Sequence, residues 1–92
     1  MLFKVEMTVD IPDDLSAAEA DAIKLKEKKY SQELQNSGVW VHLWRVVGQY
    51  SNVSIFEVKD NAHLHEVLTG LPLYPFMTMN VTALCQHPSS VK

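Results

Sequence analysis

One long amphipathic helix, predicted over residues 16–38, constrains the fold of this chain more than any other feature of the sequence. Ser16 is a suitable N-cap, and Glu19 three residues later completes a capping box. Gly38 is the expected residue at which the helix ends, because glycine adopts the left-handed conformation that follows many helices. The apolar stripe between these ends identifies the face that packs against the rest of the domain.

A carboxylate interrupts the apolar stripe of this helix. The apolar members recur at the i, i+3 and i+7 spacing of one helix face and are Ala20, Ile23, Tyr30 and Leu34. Glu27 occupies the next position of the same face, and burial there raises the pKa of a carboxyl group and makes it a better proton acceptor near neutral pH. Two interpretations stay open: Glu27 is a general base, or it reaches solvent or pairs with Lys24 or Lys28.

Alternation of apolar and polar residues predicts strands on both sides of this helix. The predicted elements are a strand over residues 2–9, the helix over 16–38, strands over 39–47 and 53–58, a short helix over 62–69, a strand over 76–85 and an irregular tail over 86–92. The order βαββαβ is typical of a ferredoxin-like α+β fold, with a four-stranded antiparallel sheet and two helices on one face. A chain of 92 residues is expected to form a single domain of this kind.

The second predicted strand carries large apolar groups on both faces. Strict alternation places Trp40, His42 and Trp44 on the sheet face that no helix of the chain covers. Two exposed tryptophans form a larger apolar patch than a monomer tolerates. We therefore expect a further copy of the chain to cover this face, as in a dimeric α+β barrel or a larger closed assembly.

Several polar residues of the same region are candidates for a site. Arg45 is expected on the face that packs against the helices, where it either pairs with Glu27 or binds an anionic ligand. His42 is either a hydrogen-bonded interface residue or a functional one. Further hydroxyl and amide donors come from the hairpin and the strand that leaves it, although such residues are also common in turns: Tyr50, Asn52 and Ser54.

Composition excludes several classes of function. The net charge of −3 and the pI of about 5.7 do not favour nucleic acid or an anionic membrane as partner. No apolar run has the length of a membrane span, and the alternating N-terminus is unlike a signal peptide. Cys85 is the single cysteine, which excludes an internal disulfide and a multi-cysteine metal site. Cytoplasm is the expected location.

The candidate residues together suit one kind of chemistry. A carboxylate among apolar neighbours, with an arginine, lysines and neutral donors nearby, can abstract a proton next to a carbonyl group. An acid group on the same substrate would be held by the arginine or a lysine.

Five stretches of the chain carry a family resemblance: MLFKVEMTV, LKEKKY, VWVHLWRVVGQYSNVSIFEV, LPLYPFM and LCQHPSS. The combination of HLWR with G-x-Y-x-N-x-S-x-F is specific, and the other stretches add independent support. On these residues the chain resembles the muconolactone isomerase family of the β-ketoadipate pathway over nearly its whole length.

The resemblance implies a reaction, a substrate and an assembly. The reaction is the isomerisation of muconolactone, a small lactone carboxylate, to 3-oxoadipate enol-lactone in catechol catabolism. The assembly is a homodecamer, and neither a metal nor an organic cofactor is needed. Two alternatives remain: a chloromuconolactone dehalogenase or a cofactor-free monooxygenase on the same scaffold, and a non-catalytic oligomeric binding protein.

The resemblance also assigns roles to residues. The positions that match the polar motif of the family are Lys24, Glu27, Lys28, His42, Arg45, Tyr50, Asn52, Ser54 and His87. Glu27 is expected to move the proton, and the other catalytic candidates are Lys24, His42 and Tyr50. The candidates for substrate binding are Lys28, Arg45, Asn52, Ser54 and His87, with Arg45 or Lys28 on the substrate carboxylate.

Overall fold

The computed structural model describes residues 1–92, which form a single four-stranded sheet with two α-helices. In chain order the elements are β1 (Leu2–Val9), α1 (Ala17–Asn36), β2 (Trp40–Arg45), β3 (Ser51–Glu57), α2 (Asn61–Thr69), a short 3₁₀-helix (Tyr74–Phe76) and β4 (Met77–Leu84). The strands pair antiparallel in the order β2-β3-β1-β4. This is the ferredoxin-like α+β topology, so the predicted fold class is confirmed.

The helix α1 begins and ends where the predicted capping residues indicate. The backbone N–H of Glu19 donates to the Ser16 hydroxyl at 3.1 Å, and that hydroxyl donates to the Glu19 carboxylate at 2.9 Å. Gly38 comes directly after the C-cap Ser37 and has a φ of +86°, which a residue with a β-carbon rarely adopts. Local sequence therefore determines where this helix begins and ends.

The core lies between the helices and one face of the sheet. Every second side chain of β1 is buried there: Phe3, Val5, Met7 and Val9. The predicted buried face of α2 joins them: Leu64, Val67 and Leu68. Because alternate residues of a strand point to opposite faces, this pattern leaves the other face of the sheet without a helix.

Tyr30 connects the two helices. Its hydroxyl donates to the backbone carbonyl of Val67 at 3.2 Å. The same hydroxyl oxygen would lie only 2.6 Å from a β-carbon added at Gly70. A larger residue at Gly70 would therefore displace the Tyr30 hydroxyl and disturb its bond to Val67.

A β-bulge in β2 shows that the predicted position of Trp40 is wrong. The register with β3 shifts between Trp40 and His42, which makes Val41 an extra residue. Trp40 consequently lies in the core, 2% exposed, with its ring centroid 4.8 Å from that of Phe56. Trp44 keeps 55% of its surface exposed on the uncovered face. Strict alternation failed here because it assumes that no residue is inserted.

The uncovered face carries one aromatic pair. The rings of His42 and Trp44 stack with their centroids 4.8 Å apart and an angle of 13° between their planes. One tryptophan rather than two therefore remains on the face that we expected a further copy to cover.

Candidate active site

A cavity of about 440 Å³ opens between α1, the β2–β3 hairpin and the segment that precedes β4. Six of the nine predicted site residues line it: Lys24, Glu27, Lys28, Arg45, Tyr50 and Asn52. Five apolar residues and two serines complete the wall: Val9, Trp40, Leu43, Leu73, Met77, Ser31 and Ser51. A mostly apolar cavity of this size with a few convergent polar groups suits a small organic ligand.

Glu27 lies half-buried in the wall of this cavity, as the apolar stripe predicts. The backbone N–H of Leu73 donates to its Oε1 at 2.9 Å. Burial raises the pKa of Glu27, while the Leu73 N–H favours the charged form and offsets part of that rise. Neither Lys24 nor Lys28 forms an ion pair with it. The interpretation in which Glu27 is neutralised by a lysine of its own helix is therefore not supported.

Three cations line the cavity with this single carboxylate: Lys24, Lys28 and Arg45. The guanidinium carbon of Arg45 lies 5.5 Å from the centre of the Tyr50 ring, and its Nη1 donates to the Gln49 carbonyl at 3.3 Å. Arg45 forms no ion pair with Glu27. The structure therefore does not support the interpretation in which Arg45 pairs with Glu27.

Asn52 lines the cavity, but Ser54 does not. The strand β3 begins two residues earlier than predicted, so Asn52 belongs to the strand and not to the turn. Ser54 is completely buried, and its hydroxyl donates to the carboxamide oxygen of Asn52 at 2.7 Å. In this chain Ser54 therefore contacts another candidate residue instead of the cavity.

Two predicted residues lie away from the cavity. His42 is on the opposite face of the sheet, stacked on Trp44. His87 is exposed in the tail, where its Nδ1 accepts the N–H of Ser89 at 3.0 Å. A single chain therefore does not bring either histidine to Glu27, and a role for them requires a neighbouring copy.

Two features of the site were missed from the sequence. Leu73 contributes a backbone N–H, which no residue type indicates. Trp40 reaches the cavity wall only because of the bulge, and its indole Nε1 is buried without a hydrogen-bond partner. A run of β-branched and aromatic residues such as VWVHLW gives no signal for the place of an inserted residue.

The arrangement has the chemistry of a proton-transfer site. A half-buried carboxylate with a raised pKa can take a proton from a weakly acidic C–H group, and nearby donors can stabilise the charge that develops. The cations fit an anionic substrate. No three His, Cys, Asp or Glu side chains are grouped so that they could hold a metal ion.

Comparison with known proteins gives one consistent family. Residues 1–90 match the family model described as muconolactone delta-isomerase. Muconolactone Delta-isomerase 1 of Acinetobacter lwoffii is 59% identical over 92 residues, which cover 100% of this chain and 96% of the relative. Muconolactone Delta-isomerase of Cupriavidus pinatubonensis is 52% identical, with 100% of both chains covered. A crystal structure of muconolactone isomerase matches with a TM-score of 0.95 at 48% identity, covering 100% of this chain and 96% of that one.

Proposed function

We propose that this chain, which belongs to the muconolactone delta-isomerase family, moves the ring double bond of muconolactone to give 3-oxoadipate enol-lactone with Glu27 as the group that carries the proton. The chain is an isomerase, and the family resemblance implies a place in catechol catabolism. One observation supports the role of Glu27 above all others: its carboxylate lines the cavity, half-buried, with a raised pKa and no cationic partner.

The reaction begins at the ring carbon that bears the carboxymethyl group. The proton there is acidic because the charge left behind spreads through the ring double bond to the lactone carbonyl oxygen. Glu27 takes this proton and a dienolate forms. The protonated carboxyl then returns a proton to the ring carbon next to the lactone carbonyl, so that the double bond moves by one position. Both carbons belong to one small ring, and one carboxyl group therefore serves both.

The environment of Glu27 suits this double task. A base is most effective when its pKa lies near the working pH, because it must first accept and then release a proton. Burial moves the pKa of Glu27 in that direction. The hydrogen bond from the Leu73 N–H fixes the carboxylate so that its second oxygen stays available.

The remaining polar groups take two roles. Neutral donors at Tyr50 and Asn52, together with Lys24, stabilise the lactone oxygen as it becomes negative. Arg45 and Lys28 hold the carboxylate of the substrate. This division places the reacting ring beside Glu27.

Turnover of muconolactone and of a chlorinated muconolactone tests this function. We expect the purified chain to convert muconolactone to the enol-lactone, and proton NMR monitors this conversion. The kcat/KM for muconolactone is expected to be higher than that for a chlorinated muconolactone. Chloride release from the chlorinated compound is measured in parallel with an ion-selective electrode. Faster chloride release than isomerisation would assign the chain to dehalogenation instead, and no turnover of either lactone would favour a binding protein.

We also propose that the chain works as a homo-oligomer, and the family resemblance implies a decamer. Trp44 and Leu84 are 55% and 39% exposed on the sheet face that no helix covers. Covering the exposed part of Trp44 removes roughly 100 Å² from water, worth about 2–3 kcal/mol at ~25 cal/mol/Å². In such an assembly His42 and His87 would be able to contact the cavity of a neighbouring copy.

Light scattering at micromolar concentration tests the assembly. We expect a particle several times the 10.4 kDa mass of the chain, and we expect Trp44→Glu to reduce that mass. Lys59→Glu, an exposed change outside the sheet face, serves as the control. A wild-type chain that stays monomeric and active would contradict the proposal.

The proposed location is the cytoplasm. The thiol of Cys85 is free and exposed, and such a thiol stays reduced in that compartment. None of the helices has the length and apolar composition needed to cross a membrane.

A further inference from the structure

Two polar residues of β3 lie on the face of the sheet that packs against the helices. Ser54 is 0% exposed and lies between Val5 of β1 and Leu43 of β2 in the register of the sheet. A hydroxyl in such apolar surroundings costs stability unless it is hydrogen-bonded. An alanine would fill the same position without that requirement, so the presence of a serine calls for another explanation.

The hydroxyl of Ser54 has one partner, the carboxamide of Asn52 two residues earlier on the same face. It donates to Asn52 Oδ1 at 2.7 Å, and Asn52 Nδ2 donates to the sulfur of Met7 at 3.6 Å. The reversed amide would place its oxygen against that sulfur, which has no proton to donate. The surroundings therefore select one of the two orientations of the amide.

This selection decides what Asn52 offers to the cavity. Its oxygen is occupied by Ser54, and one of its two N–H groups points to Met7. The second N–H is left without a partner at a residue that lines the cavity. If the amide turned over, its oxygen would take the place of the N–H and would repel a developing negative charge.

On the basis of the proposed function, we propose that Ser54 is a positioning residue that never touches the substrate. By holding the carboxamide oxygen of Asn52, it keeps the free N–H of Asn52 directed to the lactone oxygen as that oxygen becomes an enolate. Donors that are oriented before the reaction stabilise a transition state without a cost of reorganisation during it. Ser54 thus acts on the reaction through Asn52 alone.

A double-mutant cycle tests this relation. Asn52→Leu removes the donor, and we expect kcat to fall about 100-fold, the usual scale for loss of one such group. Ser54→Ala leaves the donor with only the weak contact to the Met7 sulfur to orient it, and we expect kcat to fall roughly tenfold, a partial loss of the same effect. KM stays close to the wild-type value in both. The double variant is expected to match Asn52→Leu, because Ser54 has nothing left to orient.

Further variants separate positioning from structural damage. Ser54→Cys retains a weak donor of similar size, so its kcat is expected between those of the wild type and Ser54→Ala. Ser37→Ala removes an exposed hydroxyl that donates to the Leu34 carbonyl at 2.9 Å away from the cavity, and it is expected to keep wild-type kcat. Melting temperatures are measured for every variant, and Asn52→Ala replaces Asn52→Leu if the latter does not fold.

The results distinguish this proposal from the function on which it rests. Wild-type kcat in Ser54→Ala, or an equal loss from Ser54→Ala in the presence and absence of Asn52, would overturn the positioning role even if Glu27→Gln is inactive. A fully active Glu27→Gln variant would instead overturn the proposed proton transfer. A loss in Ser54→Ala that disappears in the Asn52→Leu background supports the proposal.

Discussion

Replacing Glu27 with glutamine is expected to lower kcat for muconolactone by ~10²–10⁴-fold, the range typical for loss of a general base. Glutamine keeps the shape of the side chain and still offers an oxygen to the Leu73 N–H, which glutamate accepts at 2.9 Å. The cavity and the binding of the lactone should therefore remain, and KM should change little. Steady-state kinetics and a thermal melt of the same preparation measure both points.

The matched control is Glu33→Gln, an exposed carboxylate of the same helix that does not line the cavity. It is expected to leave kcat unchanged. The pH profile gives a second check, because the base works only when ionised. The value of kcat/KM should be high above the pKa of Glu27 in the free protein and should fall as the pH drops below it. Burial raises that pKa, so the acid limb should lie above the range of an ordinary glutamate. Wild-type kcat in folded Glu27→Gln would contradict the assignment.

Replacing Arg45 with methionine is expected to lower kcat/KM for the lactone acid about 100-fold, mainly through KM. A hydrogen bond to a charged group contributes ~1.5–3 kcal/mol, and this cavity has only Lys24 and Lys28 to compensate for its loss. Methionine retains much of the apolar stem that packs near Tyr50, so the hairpin should keep its structure. Kinetics with the lactone acid and with its methyl ester separate charge recognition from packing.

The ester carries no charge for Arg45 to bind, and its kcat/KM should fall far less than that of the acid. Lys26→Met removes an exposed cation of α1 outside the cavity and is expected to affect neither substrate. Equal losses for the acid and the ester would show that Arg45 acts on the structure of the hairpin, through its hydrogen bond to Gln49 and its contact with the Tyr50 ring, and not on the substrate.

The parts of the fold that depend on local chemistry could be predicted from the sequence. The alternation in β1 predicts a strand over residues 2–9, which is the observed Leu2–Val9. Ser16 and Gly38 mark the ends of α1 because caps act within one turn of the helix. Glu27 could be singled out for a similar reason, since a charged residue within an apolar stripe is visible at helical spacing.

The parts that depend on long-range packing could not be predicted. The inserted Val41 reverses the face of Trp40, and no residue type indicates a bulge within a continuous β-branched and aromatic run. The donor to Glu27 is the backbone of Leu73, 46 residues away along the chain. Ser54 matches a motif of the family, yet only the structure shows that its hydroxyl meets Asn52 instead of the cavity.

The central claim is that Glu27 moves the proton between two carbons of one ring. The most direct measurement is proton NMR of 3-oxoadipate enol-lactone in D₂O, observed at the ring carbon next to the lactone carbonyl. The wild-type chain is expected to exchange a proton of this CH₂ group for deuterium rapidly. Folded Glu27→Gln should exchange it no faster than the solution without protein. Exchange by Glu27→Gln at the wild-type rate would contradict the claim and assign the proton transfer to another group.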